Sequence, residues 1–201
     1  MLQDKLGKEL LFFDGGMGTL LQKEGLKPGE LPENWNIEKK DVIQSIHRSY
    51  YEAGSNILLT NTFGANAVKY HDQVYTLKEI VDAAVANVKS VAADAIVALD
   101  VGPTGKLLKP MGDLSFEAAY DAFKEVMIYG EQAGVDLIHI ETMSDTYEVK
   151  AAVLAAKENT KKQITCGIFL KSSRKARANQ SLQHGLLPIH IVITSVDLFS
   201  L

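Results

Sequence analysis

The chain has 201 residues, 46% hydrophobic and 23% charged, with a net charge of −4. That length can bury a sizeable core and makes one domain the default, while the acidic balance leaves no footprint for nucleic acid or an anionic membrane surface. Cys166 is the one cysteine, so no disulfide can close within the chain, and the charged N-terminal residues Asp4, Lys5, Lys8 and Glu9 precede only a four-residue apolar run; a cytoplasmic protein without leader or membrane span is expected.

In chain order, the first apolar run, LLFF (10–13), reads as a strand and stops at DGGMGT. A connection rich in Gly and Pro (25–32) leads to a helix over about 39–53, in which Val42, Ile46 and Tyr50 share a face and Gly54 is the stop. The second strand, NILL (56–59), ends at TNTFGAN, and a helix over about 77–92 follows with Ile80, Ala84 and Val88 as its stripe. The third strand ends at Asp100, and Ser115 is placed to cap a helix that runs to about Gly134. The fourth, LIHI (137–140), ends at Glu141, with Ser144 or Asp145 capping a helix through Val149, Val153 and Ala156; QITCGIFL (163–170) is the fifth. Continuous apolar strands alternating with helices specify an α/β fold with parallel strands. A repeat of roughly 40 residues with polar residues at every strand end favours a (β/α)8 barrel over an open sheet, here a partial one of about five βα units.

Function in such folds gathers where the strands end. Asp14, Asn61, Thr62, Asp100 and Glu141 are therefore expected in one pocket. The DGGMGT segment suits the two charged ends of an amino acid, with Asp14 toward an ammonium and the Gly15 and Gly16 N–H groups toward a carboxylate; the bland alternative is a tight turn that merely needs glycine. GPTGK (102–106) is not a phosphate loop, because two residues rather than four separate its glycines and Leu107 follows the lysine. Glu141 is the best acid candidate, against a simple helix-terminus charge. His139 reads as a hydrogen-bonded interior residue, His47 as packing or surface, and Cys166 as a small buried hydrophobe. A zinc site from Cys166, His139 and Glu141 has no supporting ligand spacing.

The tail changes character. Lys171, Arg174, Lys175 and Arg177 stand against Asp197 alone, a net +3 after Cys166 where residues 1–166 carry −7. Residues 1–170 are read as an incomplete barrel domain and 171–201 as a divergent tail, of the kind a shifted reading frame produces; GLLPIHIVITSVDLFSL within it could form a strand.

DGGMGT, LPENWNIEKKDVIQSIHRSYYEAGSNILLTNTFGAN, DVGPTG and IETMSD, in this order, resemble the homocysteine S-methyltransferase family over about residues 8–166. They are most similar to its members that form the N-terminal homocysteine domain of cobalamin-dependent methionine synthases. The resemblance implies a (β/α)8 barrel binding homocysteine at the carboxyl ends of its strands, and methyl transfer to its thiol to give methionine. It also implies a zinc ion on three cysteine thiolates that takes the homocysteine sulfur as fourth ligand, with cobalamin and folate bound by further domains not in this chain. By position, Asp14, Gly15, Gly16, Asn61, Thr62, Asp100 and Glu141 would hold the substrate. The family's Asn-Cys and Gly-Gly-Cys-Cys motifs do not occur in this sequence, so no metal ligand and no catalytic residue is assigned. Three readings follow: a homocysteine S-methyltransferase by descent, a truncated and catalytically silent chain, and an unrelated barrel enzyme using Glu141 as general base.

Overall fold

Apolar runs become neighbouring strands in the order in which the chain presents them. The computed structural model describes residues 2–5, 8–71, 73–169 and 188–191. A helical turn, α1 (Leu2–Lys5), and a short helix, α2 (Met17–Lys23), precede a 3-10 turn at Pro32–Asn34, α3 (Trp35–Glu38) and α4 (Lys40–Glu52). Then β1 (Ile57–Leu59), α5 (Leu77–Val91), β2 (Ile96–Val101), α6 (Phe116–Ala133), β3 (Leu137–Met143), α7 (Thr146–Asn159) and β4 (Gln163–Phe169) alternate. The four strands lie side by side in the order β1-β2-β3-β4, each parallel to the next. This is the α/β architecture expected of a partial (β/α)8 barrel.

The helix boundaries follow local chemistry. Thr76 caps α5 in a reciprocal capping box with Glu79. Ser115 caps α6, which ends where Gly134 adopts φ 84°. Of the two residues proposed to cap α7, it is Asp145 that does so, accepting from the Tyr147 N–H at 2.8 Å.

The pleat sorts each strand into two faces. Leu58, Val97, Leu99, Val101, Ile138, Ile140, Ile164 and Cys166 turn toward the helices, in one buried cluster with Ile80, Ala84's neighbours Val81 and Val85, Phe123, Met127 and Val153. Ile57, Ala98 and Leu137 turn the other way, packed with Leu59, Phe13 and Leu2 of α1. A third cluster, Leu21, Trp35, Ile43 and Ile46, joins α2 and α3 to α4. His47 is fully buried beside it; neither ring nitrogen has a hydrogen-bond partner among the described residues, and burial lowers its pKa to about 4, so it packs as neutral imidazole.

Two expectations are corrected. Residues 10–13 form no regular strand: the segment is extended, but its ladder to β1 reduces to one parallel bridge, Phe13 to Ile57. Its other ties are the Asn56 and Ile57 N–H groups donating to the Phe12 carbonyl, and the Phe12 N–H donating to the Asn56 side chain. With Leu10 and Phe12 exposed, the segment gains too little burial to extend its pairing. The DGGMGT turn runs straight into α2, a helix that the glycines disguise in the sequence.

In the tail, Pro188–Ile191 forms β5, antiparallel to β4 with Gly167 opposite His190. A strand that continued the barrel would be parallel. Lys171, Arg174, Lys175 and Arg177 lie outside the described residues.

Gly102, just past β2, shows how tightly the strand-end loops are packed. Its N–H donates to the Phe63 carbonyl, and a Cβ there would meet that oxygen and the Phe63 ring at 2.6 Å. Gly102→Ala is expected to cost about 1–3 kcal/mol, read as a lower urea midpoint at unchanged m-value; an unshifted midpoint would show that the loop yields freely.

Candidate functional site

The carboxyl ends of the strands enclose a cavity of about 410 Å³, lined among others by Asp14, Gly15, Gly16, Asn61, Asp100 and Glu141. Six of the seven residues proposed from the sequence therefore meet in one place. Asp100 and Glu141 reach it because they continue the inward face of their strands, two residues beyond Ala98 and His139. β3 pairs irregularly with β4 between Ile140 and Met143, and Thr142 takes φ 58° on the cavity wall. A β-branched residue there stores about 1–3 kcal/mol of strain, and the irregularity sets the exit of the chain directly after Glu141.

Asp14 sits at the end of the extended segment and accepts the Leu59 N–H at 3.1–3.2 Å through its two oxygens. Burial nevertheless pushes its pKa up to about 7, with Glu141 adding to the rise. A Cβ at Gly15 would stand 2.8 Å from the Tyr50 hydroxyl, which donates to the Gly16 carbonyl, so a side chain there would displace the Tyr50 ring.

Thr62 is the exception. It lies beneath the cavity: its hydroxyl donates to the Asp100 carbonyl at 2.8 Å and is 2.7 Å from the Thr60 hydroxyl, which accepts the Asp100 N–H. The two threonines thus grip the Asp100 backbone from both sides, and their short side chains are spent on that. Asn61 is partly committed as well, because its Nδ2 donates to the Pro32 carbonyl while its own carbonyl accepts from Asn36.

The Asp100 side chain has no such support. It is buried, its Oδ1 finds no donor among the described residues, and burial, reinforced by Glu141, Asp14 and Glu33, raises its pKa well above the ordinary carboxylate range. Glu33 was missed in the sequence because a glutamate in a Pro-containing connection looks like surface charge. It is buried, lines the cavity, and accepts the Gly64 N–H at 2.6 Å. Its pKa too is raised by burial, with Lys69 opposing the rise. The cavity is therefore a cleft of carboxyl groups with an apolar remainder that includes Met17, Leu59 and Phe63. Its chemistry suits a cationic group attached to a small apolar body.

His139, the expected interior histidine, has its Nδ1 2.7 Å from the Thr165 hydroxyl, its Nε2 3.7 Å from Glu141, and its ring against Phe13. It supports Glu141 from below.

The three-thiolate zinc centre implied by the resemblance does not fit these residues. The sequence holds one cysteine. Cys166 faces the helices, opposite the cavity, and burial pushes its thiol up to about 11, far from the thiolate a zinc ligand must be. Among the described residues no three His, Cys, Asp or Glu side chains are grouped to hold a metal ion, and Cys166, His139 and Glu141 are no exception because the first faces away from the other two.

The profile of the family described as homocysteine S-methyltransferase matches residues 11–193, running past Cys166 into the tail. The methionine synthase of Mycobacterium tuberculosis (strain ATCC 25618 / H37Rv) is 30% identical over 171 residues, and that of Mycobacterium leprae (strain TN) 29% over 172. Each alignment covers 78% of this chain and 14% of the relative, so the chain spans about a seventh of the length of these proteins. The homocysteine methyltransferase MmuM from Escherichia coli, in its oxidized form, superposes with a TM-score of 0.71 at 20% identity over 81% of this chain and 63% of that one. Its metallated form gives 0.69 at 21%. At that identity the likeness speaks for the fold alone, whereas the profile match over most of the chain speaks for descent: this chain belongs to the homocysteine S-methyltransferase family.

Proposed function

We propose that the chain supplies the amino-acid-holding part of a homocysteine S-methyltransferase pocket and does not itself activate the thiol. The observation that carries this is the convergence of Asp14, Asp100 and Glu141 on one cavity, with a buried oxygen of Asp100 that no donor among the described residues meets. An α-ammonium brings three N–H donors and a positive charge to that cluster, and the Gly15 and Gly16 N–H groups stand beside Asp14 for the carboxylate. Asn61 borders the bound amino acid, while Thr62 serves only by holding Asp100. The sulfur end would then lie along Met17, Leu59 and Phe63.

Methyl transfer needs a nucleophilic sulfur, and a free thiol is mostly protonated at neutral pH. No group on this cavity replaces the missing thiolates in that task, so no transfer step is derived. In this reading residues 1–170 are an incomplete barrel and 171–201 a divergent tail, and any cobalamin or folate binding belongs to domains outside these residues. Sequencing the encoding DNA beyond codon 166 in all three frames tests the tail: Asn-Cys and Gly-Gly-Cys-Cys in another frame support a frame shift, and their absence from all frames refutes it. A single unpaired cysteine suits a reducing, cytoplasmic setting.

Calorimetric titration of the purified chain with L-homocysteine tests the binding role. Glu141→Gln, which keeps the shape and removes the charge, is expected to weaken binding about tenfold, the value of one charge-assisted contact. An analogue lacking the amino group, 4-mercaptobutyrate, is expected to bind weakly or not at all. Equal affinity for the analogue would mean that the carboxyl cluster does not recognise an ammonium.

A further inference from the structure

Granted the α-amino-acid reading of the cavity, on which this rests, we infer that the chain is a zinc-independent amino-acid site that takes L-methionine about as readily as L-homocysteine. A zinc centre separates the two ligands because a thiol can bind it as a thiolate and a thioether cannot. That discrimination requires soft donors at the sulfur end. Here the only sulfur nucleophile, Cys166, pairs in register with Ile140 and sits among helix-facing residues such as Ile138 and Ile164. The pleat puts it on the face opposite Thr165, whose hydroxyl meets His139 on the inward side. No side-chain rotation carries a Cβ substituent through its own sheet.

Among the described residues the cavity side offers hard oxygen donors for the amino end, and an apolar wall of Met17, Leu59 and Phe63 for the rest. Such a wall contacts a thioether methyl as well as a thiol. Nothing on it reads the protonation state of sulfur. One methyl group against an apolar wall shifts affinity by about tenfold at the low end of what hydrophobic pockets achieve, and the extra contact favours methionine.

Isothermal titration of the full chain, under a phosphine reductant, with L-homocysteine and L-methionine, each with chelator and with equimolar zinc, tests this. The two dissociation constants are expected within about tenfold of each other, unmoved by chelator or zinc. Cys166→Ala, checked for folding by circular dichroism, is expected to leave both unchanged. Homocysteine binding about 100-fold tighter than methionine, and lost with chelator, would overturn the inference while leaving the amino-acid reading intact. Loss of binding in a folded Cys166→Ala variant would overturn it as well; should that variant fail to fold, the chelator series on the unaltered chain decides. If neither amino acid binds, the reading of the cavity itself falls, and the inference with it.

Discussion

Asp14→Asn is expected to make the protein more stable at pH 8 by up to about 4 kcal/mol and to leave it nearly unchanged at pH 4. The sign follows from proton binding. Asp14 titrates at about 7 in the folded chain, above its ordinary 3.8. Below the lower value both states are protonated and the group contributes nothing to any difference. Between the two values the folded state keeps a proton that the unfolded state has released, so stability falls steadily as pH rises and levels off above about 7. Asparagine has no charge to bury, and its side-chain oxygen can still accept the Leu59 N–H that holds Asp14. Because Asp14 keeps some access to solvent, the measured gain should lie toward about 2 kcal/mol rather than the upper figure. Urea unfolding from pH 4 to 8 would show the unaltered chain declining relative to the variant. Parallel curves would refute a burial-raised Asp14. The same substitution should weaken amino-acid binding, so the group costs stability in order to meet its ligand.

The second large effect is expected at Glu148, on the first turn of α7. Its carboxylate is buried and accepts both the Thr104 N–H at 2.8 Å and the Thr104 hydroxyl at 2.5 Å, tying the DVGPTG loop after β2 to the helix after β3. Glu148→Ala leaves the buried Thr104 N–H and hydroxyl without their acceptor and removes two charge-assisted bonds, a loss of about 3–4 kcal/mol. Glu148→Gln retains one acceptor oxygen and should lose about 1 kcal/mol. Equal midpoints for the two variants would show that the retained acceptor oxygen contributes nothing to holding the loop. Because the loop follows Asp100 directly, the alanine variant should also blunt amino-acid affinity.

The strand-end residues illustrate how far local pattern carries. Asp100 and Glu141 are legible because each directly terminates an apolar run, and a strand that ends at its pocket delivers the next inward residue to it. Thr62 belongs to the polar cluster that ends the second run, yet it serves the backbone of Asp100. No local signal separates the two cases, since the difference is set by which strand passes alongside. Glu33 is the converse: only the fold of the 32–36 connection against Gly64 turns a surface-looking glutamate into a buried wall of the cavity. Residues 10–13 show the limit for strands, because an apolar run becomes a ladder only when a neighbour pairs along its length.

What the sequence by itself determined is the alternating α/β order, the helix cap at Ser115, the choice between Ser144 and Asp145 for α7, the family, and the count of one cysteine. These rest on periodicity, on side chains that bond their own backbone, and on counting, none of which needs distant contacts. Tertiary structure alone decided which strand-end side chains face one cavity, that three carboxyl groups are desolvated together there, and that Cys166 stands on the opposite face of the sheet. Each of those depends on the pleat and on pairing between residues distant in sequence, such as Ile57 with Ile96 or Ile140 with Cys166, where burial and charge are properties of the assembled sheet and not of any segment in it.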